Sequence, residues 1–185
     1  MSSVQHEAWS LERFLAWEER QELRHEFDGF GPVAMTGGTL GHEAIGGALR
    51  ALLRLRLAGL PCRAWGPTAK VEVAGRIRYP DALVSCTPAP RDSTIVPDPV
   101  VVFEILSPGS SYTDRIVKLR EYQATASIRR YVILEQDRVA ATVFVRHGEA
   151  WIATPHTGAA TLDMPEIGIE LPLAEIYADA DLAEA

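Results

Sequence analysis

The run Pro99-Val100-Val101-Val102-Phe103-Glu104-Ile105-Leu106 is apolar at every position after its proline except Glu104. A short unbroken row of β-branched and aromatic residues reads as a strand covered on both faces, which places it inside a sheet with further layers over it. Ser107-Pro108-Gly109-Ser110-Ser111 breaks that strand, and Ser107 and Ser110 supply caps for a helix over residues 112–125 with Ile116, Leu119 and Tyr122 or Gln123 inward. Strands follow at 131–136, 141–146 and 150–154. Upstream, 62–65, 69–73 and 77–86 read as a meander of neighbouring strands with Gly66-Pro67 and Ala74-Gly75 between them, and 88–99 is a proline-rich loop. Ser10 caps a first helix running to about Arg24, and 42–57 forms a second with Ile45, Leu49 and Leu52 on one side. Between the helices lie turns at Asp28-Gly29 and Gly31-Pro32, a strand at 33–35, and a turn at Gly37-Gly38. Short pieces near Thr161 and at 167–171 precede an acidic, alanine-rich tail expected to fray. The reading is one α/β domain over 9–172, a central mixed sheet flanked by helices, with a tail at 173–185.

The 185 residues are 47% apolar and 23% charged, enough for one full core. No apolar run approaches the roughly 18 residues of a membrane helix, and the acidic N-terminus is wrong for a signal peptide, so a cytoplasmic protein is expected. Cys62 and Cys86 are too few for a disulfide framework or a thiolate zinc site and read as small packing residues. A net charge of −7 argues against holding nucleic acid by bulk charge alone. The middle of the chain is locally basic, from Arg50 to Arg78 and again from Arg115 to Arg130, and could present a positive face.

Two acids lie inside apolar strands, Asp81 in Tyr79-Pro80-Asp81-Ala82-Leu83-Val84 and Glu104 in the run above. Burying a carboxylate alone costs several kcal/mol, so the pair calls for a shared cation, a hydrogen-bond network or protonation. Oxygen ligands suit Mg²⁺ or Mn²⁺ rather than zinc, and the implied chemistry is metal-assisted hydrolysis. Such a site also wants a cation near the attacked phosphate. Only two lysines exist. Lys118, four residues after Asp114 on the helix that follows the Glu104 strand, is the first candidate, although an i,i+4 ion pair with Asp114 explains it too. Lys70, on the same strand face as Glu72, is the second. His42 heads a helix and joins the secondary candidates, with capping or packing as the plainer explanation. Tyr112 and Tyr122 read first as packing residues, with base stacking as the alternative.

Residues 9–151 resemble the Uma-two family of endonucleases, formerly a domain of unknown function, in the PD-(D/E)XK restriction-endonuclease-like superfamily. The resemblance rests on Leu11-Glu12-Arg13-Phe14-Leu15-Ala16-Trp17-Glu18, on His25-Glu26-Phe27-Asp28-Gly29, and on Val33-Ala34-Met35-Thr36-Gly37-Gly38-Thr39 with His42. Tyr79-Pro80-Asp81, Phe103-Glu104-Ile105-Leu106-Ser107-Pro108, and Asp114 to Lys118 with Leu119 and Tyr122 complete it. It implies Asp81 and Glu104 as the metal pair and Glu26, at the end of the first helix, as an additional site acid. The superfamily's lysine position, two residues past the second acid, is Leu106 here, so the lysine function is expected to have moved to Lys118. The resemblance implies a Mg²⁺-dependent endonuclease acting on nucleic acid, DNA first, as a homodimer. The rival readings are an inactive interaction protein on the same fold and a hydrolase of small phosphate compounds.

Overall fold

The computed structural model describes residues 8–35, 37–107, 109 and 111–182. Ser110, expected as a cap, and Glu184, at the end of the expected tail, lie outside them.

The apolar run from Pro99 forms β7 (Pro99–Ile105), in the interior of a six-stranded sheet. It pairs antiparallel with β6 (Ala82–Ser85) and parallel with β8 (Arg130–Leu134). Beyond β8 lie β9 (Ala140–His147) and β10 (Ala150–Thr157), and beyond β6 lies β3 (Arg63–Trp65), giving the order β10-β9-β8-β7-β6-β3. Alternation along β7 sends Val101, Phe103 and Ile105 to one face and Val102 to the other. On the first face they meet α2 (Leu40–Arg56), α4 (Leu173–Ile176) and the hairpin of β11 (Thr161–Met164) and β12 (Ile169–Pro172). On the second, Val102 packs with Leu106, Tyr122 and Tyr131 beneath the helix that links β7 to β8. The mixed sheet flanked by helices is as the sequence indicated.

Five local expectations change. The first helix, α1 (Leu11–Glu18), stops before Arg24, because β1 (His25–Phe27) pairs with β2 (Pro32–Ala34) and takes up the following chain. Glu26 therefore sits on β1, not at a helix end. The single strand expected at 77–86 is two, β5 (Arg76–Arg78) and β6, and they lie in different sheets. The smaller sheet runs β2-β1-β5-β4, with β4 at Val71–Val73, so β3 to β6 is not a simple meander. The chain crosses from small sheet to large through Tyr79-Pro80-Asp81, and Asp81 stands at that crossing. The 112–125 helix opens as a π-helical segment, Thr113–Lys118, before continuing as α3 (Leu119–Ala124).

Cys62 and Cys86 form a disulfide rather than separate packing residues. Arg63 pairs with Ser85 at the end of the β3–β6 ladder, which brings the two neighbouring cysteines face to face. Their pairing was hidden because the intervening chain leaves for the other sheet. The chain after Pro172 does not fray at once: Leu173, Ile176 and Tyr177 are buried in the main core. Among the described residues no helix is long and apolar enough to cross a membrane.

Candidate active site

A cavity of about 250 Å³ opens where β1–β2, the start of α2, the end of β7 and the π-helical segment meet. Glu26, His42, Asp81, Glu104, Asp114 and Lys118 all line it. Period-two alternation explains the central pair. Glu104 follows Val102 onto the helix-covered face of β7, and Asp81 precedes Leu83, which lies on that same face of β6. The Ala82–Phe103 register sets the two acids beside each other at the ladder's end. Asp81 is fixed there by the Ile105 amide, which donates to its Oδ2 at 2.7 Å, and His42 Nε2 lies 3.3 Å from the same oxygen.

Lys118 Nζ donates to Glu104 Oε1 at 2.9 Å and lies 3.2 Å from Asp114 Oδ1 and 3.5 Å from Glu26 Oε1. The Tyr122 hydroxyl also donates to Glu104 Oε1, at 2.7 Å. Glu26 is held from behind by buried Arg78, whose Nη1 donates to its Oε2 at 2.9 Å, and by the Tyr79 amide. Arg78 also forms a two-pronged contact with Glu121, at 2.7 Å on each side. Sequence reasoning missed Arg78, since an Arg-Ile-Arg strand reads as apolar on one face and solvated on the other. Only the sheet crossing after it buries the second arginine. Lys70 takes no part in the cavity. Its Nζ bonds Glu18 Oε2 at 2.6 Å, and the Tyr79 hydroxyl bonds Glu18 Oε1 at 2.5 Å, while Glu72, its expected neighbour, points to solvent.

Charge is unbalanced in this cavity. Four carboxylates face one ammonium, and Glu104 is 3% exposed. Burial pushes the Glu104 carboxyl up to about 8, with Asp114, Asp81 and Glu26 adding to the rise and Lys118 opposing it. Burial disfavours the Lys118 ammonium, but Glu104, Glu26 and Asp114 outweigh it and hold the group above its ordinary range. The hydrogen bond to Asp81 raises His42 against the opposing effect of burial. Asp114 Oδ1 is buried and accepts no hydrogen bond among the described residues, its contact with Lys118 being one of charge.

These residues fit a hard cation. The described hydrogen bonds to Asp81 fall on Oδ2 and those to Glu104 on Oε1, which leaves Oδ1 and Oε2 for another ligand. No three His, Cys, Asp or Glu residues among those described form a complete metal cage. A Mg²⁺-like ion held by two carboxylates, with water and substrate oxygens completing its shell, requires none.

A mixed sheet whose adjacent inner strands deliver paired acids to one cavity, with a helix lysine against them, is the restriction-endonuclease-like class of α/β fold. The chain belongs to the Uma2 family, described as "Putative restriction endonuclease", which it matches over residues 11–174. It is similar to "Uncharacterized protein slr1290" of Synechocystis, at 29% identity over 172 residues, covering 91% of this chain and 90% of that one. The crystal structure of "a putative nuclease belonging to DUF820" from Anabaena variabilis shares the fold, with a TM-score of 0.75 and 16% identity over 92% of this chain and 98% of that chain.

Proposed function

We propose that the chain is a metal-dependent endonuclease that hydrolyses phosphodiester bonds of nucleic acid, DNA first. The reading is carried by Asp81 and Glu104 turned to the same side of the sheet, in one cavity short of positive charge. Asp81 and Glu104 are the residues that would hold Mg²⁺ or Mn²⁺. The ion, when bound, draws charge from the phosphate oxygens and lowers the pKa of a bound water. Lys118 keeps its proton at neutral pH, so it acts as a fixed cation that stabilises attacking hydroxide or developing phosphorane charge. Glu26, locked by Arg78 and 3.5 Å from the ammonium, helps to set its position. Water is the nucleophile.

Cleavage of plasmid and oligonucleotide DNA in Mg²⁺ or Mn²⁺ tests this. Asp81→Asn and Glu104→Gln each lose at least about 100-fold in rate with circular dichroism unchanged, and Mn²⁺ titration by calorimetry loses its binding heat. Undiminished cleavage in both variants excludes the mechanism.

A further inference from the structure

The helix beside the site carries a second row of residues that the chemistry above leaves unused. Asp114, Lys118 and Tyr122 are buried and face inward at four-residue spacing. Tyr112, Ile116 and Arg120 repeat that spacing on the outward side and are exposed, Tyr112 by 74% and Ile116, against its expected inward position, by 38%. The π-helical segment explains why both rows stay in line. Its i→i+5 bonding widens the turn beyond 3.6 residues, so positions four apart come closer to eclipsing than in an α-helix. Tyr112 directly precedes the cavity-lining Thr113. Across the opening, cavity-lining Val33 is 46% exposed, and Leu40, between the lining residues Gly38 and His42, is 90% exposed. An exposed aromatic ring and two exposed aliphatic side chains thus lie on, or next in sequence to, residues that line the opening, and the row leading away from Tyr112 ends in a cation.

Most cations of the two basic stretches are committed to ion pairs. Arg50 pairs with Glu43, Arg56 with Glu175, Lys70 with Glu18, Arg76 and Arg78 with Glu121, Arg115 with Glu135 and Arg130 with Glu166. The two basic stretches of the sequence are largely neutralised within the fold. Arg54, Arg63, Arg120 and Arg129 are exposed and have no ion pair among the described residues. Arg54, Arg63 and Arg129 lie at the ends of α2, β3 and β8 remote from the cavity, which leaves Arg120 on the helix that borders it. Duplex DNA hides its base faces and presents two phosphate rows, so proteins that hold it rely on many cations. An unpaired strand exposes base faces that stack on aromatic rings, and it needs few cations.

Building on the nuclease reading, we infer that the strand entering this site is single, with a base stacked on Tyr112 and the backbone running past Ile116 to Arg120. Fluorescence anisotropy tests this with one labelled oligonucleotide, single-stranded or annealed to its complement. The buffer contains Ca²⁺, a hard cation that the carboxylate oxygens accept. Wild-type protein binds the single strand at least about 10-fold more tightly than the duplex. Tyr112→Ala weakens single-strand binding by roughly 5- to 100-fold, the range of one base stack, and leaves duplex binding unchanged, while Tyr112→Phe binds as wild type. Equal or tighter duplex binding, or an unaffected Tyr112→Ala, overturns the inference and leaves the nuclease reading in place. Failure of the wild type to bind either form overturns both.

Discussion

Lys118 is the ammonium that answers Glu104 and Asp114, and with Arg78 it answers Glu26, so its value to the fold differs from its value to chemistry. Removing the charge from one member of a buried pair is strongly destabilising, because the partners left behind are desolvated and uncompensated. Lys118→Met is therefore expected to lower unfolding free energy by about 3 kcal/mol, read as a shift of the urea midpoint at constant slope. Adding Glu104→Gln to it restores part of the loss, since the second change removes one of the stranded carboxylates. Additive losses in the double variant would show that Lys118 and Glu104 do not interact. At this scale the sequence was informative where chemistry clashed with pattern. An acid inside an apolar strand has to be answered, so Asp81 and Glu104 stood out before any coordinates. Asp114 and Lys118 were legible as an i,i+4 pair, and they do lie 3.2 Å apart. Arg78 was not, since its burial comes from a neighbouring sheet and not from its own strand.

Elements were legible where their period was long and local. β7, α2 and the three strands from β8 to β10 carry their own pattern, and they lie close to where that pattern puts them. The errors cluster where tertiary pairing overrides local propensity. α1 ends at Glu18 and its expected last turns are the connection into β1, and the stretch at 77–86 is divided between two sheets by the Tyr79-Pro80-Asp81 crossing. The π-helical segment has no sequence signal of the kind that marks a cap or a turn. The disulfide belongs here too, because it clamps β3, a short edge strand, to β6 across a separation of 24 residues. By loop-closure entropy a cross-link of that span contributes about 3 kcal/mol. For a chain of this size that corresponds to a melting temperature lower by roughly 6–12 °C after reduction or in the Cys62→Ala/Cys86→Ala variant. If reduced and oxidised protein melt together, the clamp holds nothing that the β3–β6 ladder does not.

Over the whole molecule, net charge and local charge point in different directions, and the fold decides between them. The linear sequence shows basic stretches in its middle and acids at its ends. Folding brings them together: Arg56 meets Glu175 and Lys70 meets Glu18, each pair joining the middle of the chain to an end. The positive face expected from the sequence is largely spent on internal pairs. What remains on the helix beside the site is Arg120, together with whatever cation the carboxylates hold. Counterion release then sets the salt dependence. A single strand neutralised by Z protein charges gives a slope of log K against log salt of about −0.7Z, so two cationic contacts give about −1.4. Anisotropy titrations over a range of KCl concentrations should return a slope between about −1 and −2, and Arg120→Gln should flatten it by about 0.7 while leaving the stacking contact in place. A slope of about −4 or steeper would require a track of several free cations. In that case the basic stretches would be serving the substrate and not the fold, and a duplex would again be the better occupant of the site.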